Sequence, residues 1–173
     1  MKHFKRFTIL FFIFLNLESL KADTPYFVDF KYILNESNAG KKAQDELKSK
    51  LNNGLKNLKD KELKIQEEEK KIIQQKKLIS PEDYKKKVSD LRKKVSSLQT
   101  ERNKLLEDIS KQRSKARNEL LKNLNPILSD YMKKNQIRII IDKKSILLAD
   151  ENLNITDEIT KLLNAKLKSI KIN

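Results

Sequence analysis

The sequence predicts a mainly α-helical chain with a small β part, in which a long antiparallel coiled-coil hairpin arm projects from a small strand-containing oligomerisation body. Three observations predict it. Charged residues make up 36% of the 173, with only two glycines and three prolines, and heavy Lys, Glu, Leu and Gln usage marks long helices rather than a compact globule. Two consecutive stretches carry apolar residues at heptad spacing on either side of a turn signal. Short stretches of period-two alternation lie near both ends of the chain.

Residues 1–22 read as an address rather than as part of the fold. Lys2, Lys5 and Arg6 form a basic start, an apolar run spans Phe7 to Leu17, and Ala22 places a small residue before Asp23. That order is a secretory signal with cleavage between Ala22 and Asp23. The 11-residue run is too short to cross a bilayer, which takes about 20 residues. The mature chain then carries 35 basic and 23 acidic residues, a net charge of +12, and no His, Cys or Trp.

Thr24 to Leu34 reads as a strand, with Tyr26, Val28 and Phe30 on one face, and Asn35 to Asn38 as a turn. From about Ala39 to Leu78 the chain is predicted helical. Leu51, Leu58, Ile65, Ile72 and Ile79 hold one heptad position apolar, while the partner position fails after Leu47, at Gly54, Lys61, Glu68 and Gln75. Ser80-Pro81-Glu82-Asp83 combines a capping side chain, a proline suited to the first helical position and acids for the positive dipole end. The chain is expected to reverse near residues 79–83. A second helix follows with the stronger seam: Tyr84, Val88, Leu91, Val95, Leu98, Arg102, Leu105, Ile109, Gln112 and Ala116. Pro126 is expected to kink this helix rather than stop it, because Ile127, Leu128, Tyr131 and Met132 keep the helical spacing.

The period changes again at Ile137, Ile139 and Ile141, and a second apolar run at Ile146 to Ala149 suggests a β-hairpin around Asp142 to Ser145. Thr156-Asp157-Glu158 then starts a last helix. The division is therefore 1–22 signal, 23–38 with 136–173 body, and 39–135 arm. A core this small rarely supplies more than about 3–5 kcal/mol, and self-association is a usual remedy. Tyr26, Val28, Phe30, Ile137, Ile139 and Ile141 are the candidates for core and subunit contacts.

Most enzyme chemistry lacks its parts. Without His or Cys there is no ordinary triad, thiol nucleophile or zinc site. Gly40-Lys41-Lys42 has no glycine five positions upstream and is no phosphate loop. No enzyme, cofactor or metal is expected. Lys41 to Asn135 holds 27 basic and 15 acidic residues, so the excess charge lies on the arm. It keeps exposed helices soluble, and it also suits an anionic partner: an acidic protein, a negative membrane surface or nucleic acid. A secretory signal argues against nucleic acid in vivo. Leu55, Ile72, Ile73, Leu78, Ile79 and Tyr84 are the candidate partner-binding residues toward the tip.

Val28-Asp29, Ile33-Leu34, Ser37 and Gly40-Lys41-Lys42-Ala43, with Ile141-Asp142-Lys143, Leu148-Ala149-Asp150 and Asn154-Ile155-Thr156-Asp157-Glu158-Ile159 near the end, resemble the OmpH/Skp family of periplasmic chaperones. The likeness covers essentially the whole mature chain, and Asn154 departs from it where the family more often has an acid. The resemblance implies a homotrimer whose arms surround a cavity, in the periplasm. It also implies that unfolded outer-membrane β-barrel proteins are held there without ATP until insertion, and the arm's positive charge suits an anionic membrane surface or lipopolysaccharide as a further partner. From another class, a periplasmic coiled-coil scaffold tethering envelope components fits the same heptads and lysines.

Overall fold

The computed structural model describes residues 24–172, so the expected cleavage point at Ala22 and Asp23 lies outside the described residues. The elements are β1 (Tyr26–Val28), α1 (Phe30–Glu36), α2 (Asn38–Gln75), α3 (Pro81–Lys134), β2 (Ile140–Asp142) and α4 (Thr156–Lys166), with 3-10 turns at Lys143–Ser145 and Glu151–Leu153. Helices α2 and α3 form the arm. Its reversal follows the sequence: the Ser80 hydroxyl accepts the Asp83 N–H at 3.1 Å, Pro81 occupies the first turn, and Glu82 and Asp83 sit at the dipole's positive end. Helix α3 runs on through Pro126 to Lys134, held on both sides by buried Leu124, Ile127 and Leu128.

The strand pair that closes the body joins the two chain ends. β1 and β2 pair in parallel, Tyr26 with Ile140 and Val28 with Asp142, and the whole arm is inserted between them. Beneath them, Val28 and Ile33 meet Leu120 to Leu128 of α3 and Ile159 and Leu163 of α4 in one apolar core. Helix α3 is thus shared, its outer part belonging to the arm and its last turns to the body. A second, smaller core at the arm root joins Ala43, Leu47, Ile109, Ala116 and Ile172.

The β part differs from the sequence expectation in three places. The strand expected as far as Leu34 stops at Val28, and Phe30 opens α1 instead. Asp29 is the cause: its carboxylate accepts the Tyr32 N–H at 2.8 Å, a helix N-cap that outweighs the alternation of Tyr26, Val28 and Phe30. Ser37 then closes α1 and caps α2, its hydroxyl accepting the Gly40 N–H at 3.2 Å.

The expected hairpin between residues 137 and 149 is absent, and the sheet of the described residues has two strands. Asp142 accepts the Lys144 N–H and turns the chain out of β2 into a 3-10 turn, leaving Leu147 and Leu148 fully exposed. The third difference is in frame. Ile137 is buried and Ile140 packs on the body core, whereas Ile139 is 50% exposed and Ile141 half-buried. The exit from α3 sets this frame. Gln136 takes a left-handed conformation, φ 56°, while the Ile137 N–H reaches back to the Met132 carbonyl at 2.9 Å. This is a Schellman closure with glutamine in the place where glycine is usual.

The start of α4 also departs from a simple cap. Its N-cap is Ile155, with no side-chain bond. The Thr156 hydroxyl instead donates to the Asn154 side-chain oxygen at 2.6 Å and accepts the Asp29 N–H at 2.9 Å. With the Ile155 N–H on the Phe27 carbonyl at 3.0 Å, the chain's two ends are tied through a buried threonine.

Candidate functional site

The outer half of the arm has two unlike flanks. At about 100° per residue, Lys61, Glu68 and Gln75 lie on one flank of α2, and Ile65, Glu69, Ile72 and Ile73 on the other. The failed heptad position is filled by cross-helix pairs. Lys61 meets Glu101 at 2.5 Å, Glu68 meets Lys94 at 2.6 Å, and the Lys87 ammonium donates to Gln75 at 2.7 Å. Nearer the root, Lys50 donates to Gln112 at 3.2 Å. Each pair is symmetric about position 81, where the chain turns. The ladder was legible once the turn was located, because an antiparallel register about residue 81 sets these residues opposite one another.

Gly54 occupies the same heptad position. A Cβ there would stand 2.6 Å from the two methyl carbons of Leu105, so the glycine is the hole that takes this leucine.

On the other flank the seam stays open. Ile65, Ile72, Ile73, Tyr84, Val88, Leu91 and Val95 line a cleft of about 440 Å³ with Glu69 and Arg92 on its walls. Valines at 88 and 95 are shorter than the leucines of a filled seam, and Val95 stays 50% and Ile73 60% exposed. Toward the tip, the Lys76 ammonium lies 5.8 Å from the Tyr84 ring centre. Toward the root, Arg102 pairs with Glu62 at 3.6 Å. The result is an apolar trough of about 440 Å³ with Arg92 and Glu69 on its walls and the Lys76 ammonium over Tyr84 at its tip end.

Of the six candidate binding residues, the trough unites Ile72, Ile73 and Tyr84. Leu55 lies further toward the root, 43% exposed; Leu78 projects at the turn, 81% exposed; and Ile79 is half-buried there. The sequence reading assigned Ile65, Val88, Leu91 and Val95 to the seam alone. The run of valines facing isoleucines was the available signal for an underfilled stretch. In the body, Val28 lies in the core with Tyr26 and Phe30 packed against it. Among the described residues no group of three or more His, Cys, Asp or Glu could hold a metal ion, and no helix is long and apolar enough to cross a membrane.

A paired-helix arm of this length on a small body closed by both chain ends defines a tentacle-bearing α+β protein. The family model OmpH, described as outer membrane protein (OmpH-like), matches residues 26–163. The chain belongs to this family. Among solved structures it is similar to a candidate outer membrane chaperone, OmpH-like, from Caulobacter crescentus, with a TM-score of 0.79 at 18% identity over 86% of this chain and 89% of that one. No curated protein matches it at a significant level.

Proposed function

We propose that this chain is an ATP-independent periplasmic holdase chaperone that binds unfolded outer-membrane proteins and keeps them from aggregating before insertion. The open apolar trough on a strongly basic arm is the observation that carries this reading. Side chains such as Ile73 and Val95 gain by covering with any apolar segment, and no directional partner in the trough demands one sequence. Lysines around it attract acidic stretches of an unfolded chain. Family membership supports the same reading, as does the signal-like start of the sequence.

The protein acts without catalysis or cofactor, and as a homo-oligomer, a trimer in the pattern of its family. Leu147 and Leu148, 103% and 91% exposed, and half-exposed Ile139 beside β2 are large apolar side chains on the body that self-association would cover. Several arms then act on one client, so weak contacts add up through effective concentration.

The test is an aggregation assay. A urea-unfolded outer-membrane β-barrel protein is diluted into buffer containing residues 23–173 without nucleotide, and light scattering is followed. Suppression that saturates near one oligomer per client is the expected result. Undiminished scattering with a folded, oligomeric sample refutes the holdase and favours the scaffold.

A further inference from the structure

The segment after α4 has no regular structure, yet Ile172 is 1% exposed. It is buried in the arm root, among Ala43 and Leu47 of α2 and Ile109 and Ala116 of α3. Two alanines in that seam leave room where larger residues would close it, and Ile172 fills the room. Ile170, two residues earlier, packs against both the body core and the root core, while Lys168 and Lys171 stay exposed. The tail thus lies across the junction between body and arm with alternate side chains inward.

That junction is narrow. Ala39 and Leu120 belong to the body core, and Ala43 and Ala116, one helical turn away, belong to the root core. Arm and body are otherwise continuous there through the backbones of α2 and α3, and long helices are rarely straight but curve gently over their length. We propose that residues 168–172 form a strap that splints the arm root to the body, and that releasing the strap frees the arm to bend at this one turn. Its anchorage rests on Ile170 and Ile172, without a helix or strand of its own, so it is a part of the body that can detach while the main core stays intact. The strap reading needs no client and stands or falls separately from the holdase reading.

Hydrogen exchange on residues 23–173 and on the same protein ending at Leu167 tests it. Truncation is expected to speed exchange at least tenfold in residues 40–50 and 106–118, with less than twofold change in α4 and in residues 60–100. Unchanged root exchange overturns the proposal, and so does an equal rise in β1 and α4, which would make the tail an ordinary part of the body core. A second variant, Ala43→Cys with Ile172→Cys, uses a chain that has no other cysteine. Oxidation is expected to form an intrachain disulfide and to hold root exchange at or below the parent rate, with reduction reversing it. In the reduced variant, alkylation of the thiol at position 172 at the rate of a fully exposed cysteine shows that the tail does not sit on the root and overturns the proposal.

Discussion

Gly40 and Gly54 lie in the same helix, and replacing each by alanine should have unequal consequences. Helix propensity favours alanine over glycine by about 1 kcal/mol at each. What the new methyl meets decides the rest. At Gly40 it would overlap the Leu34 carbonyl oxygen and stand 2.9 Å from both the Leu34 carbonyl carbon and the Ser37 hydroxyl. These are backbone and a fully buried cap, so the α1–α2 link itself must open and would draw Ile33 out of the core. Forced overpacking of this kind costs about 1–3 kcal/mol or more, and with rigid backbone as the obstacle the upper end applies. Gly40→Ala is therefore expected to lose about 2 kcal/mol net. At Gly54 the obstacle is the end of the Leu105 side chain, which can turn aside, so Gly54→Ala should stay within about 1 kcal/mol of the parent. Urea unfolding followed by circular dichroism, at one fixed protein concentration because association shifts apparent stability, measures both. Equal midpoints for the two variants would refute the reasoning, since they would mean that propensity alone governs these sites.

Other perturbations probe separate features. Gln136→Gly removes a side chain from a left-handed position that costs other residues about 1 kcal/mol, and thermal unfolding should show a gain of up to that size. Burial, reinforced by Glu158 and Tyr26, raises the Tyr131 hydroxyl above its ordinary pKa of 10.0. The folded chain then holds this proton more tightly than the unfolded one. Its contribution is complete below the unfolded value and is lost as pH rises through the folded one. Tyr131→Phe should flatten the alkaline fall in a series of unfolding midpoints. Ile73→Ser with Val95→Ser, at 60% and 50% exposure, should weaken suppression of client aggregation several-fold while moving the unfolding midpoint little. If the chain self-associates through the body as proposed, Leu147→Ser with Leu148→Ser should shift sedimentation velocity toward monomer, with circular dichroism unchanged.

The arm was legible because its signals are local and redundant. The heptads from Leu51 to Ile79, the cap at Ser80-Pro81 and the seam from Tyr84 to Ala116 each point to the same hairpin. The small body was less so. Parallel pairing of Tyr26 with Ile140 joins residues more than a hundred positions apart, and nothing near either strand announces it. Asp29 could have been read as a cap, but the alternation of Tyr26, Val28 and Phe30 carried the reading past it. Ile137 and Ile139 alternate as a strand should, yet the helix exit at Gln136 consumes Ile137 before β2 begins. The tail is silent in the sequence for a related reason. Ile170 and Ile172 follow the last helix with no periodic pattern long enough to mark them, and their role depends on alanines at 43 and 116.

The ladder beside the trough also works as a key. Sliding α3 by one heptad in one direction sets Lys61 against Lys94, and sliding it in the other sets Glu68 against Glu101. Either slip replaces an attraction with a repulsion of like magnitude, some tenths of a kcal/mol for exposed pairs. It also moves Leu105 off the hole at Gly54 and sets it against Leu47 or Lys61, one heptad to either side. An arm parted along its length is therefore biased to close again in its original alignment, and the trough that reforms there carries the same seven apolar side chains in the same order.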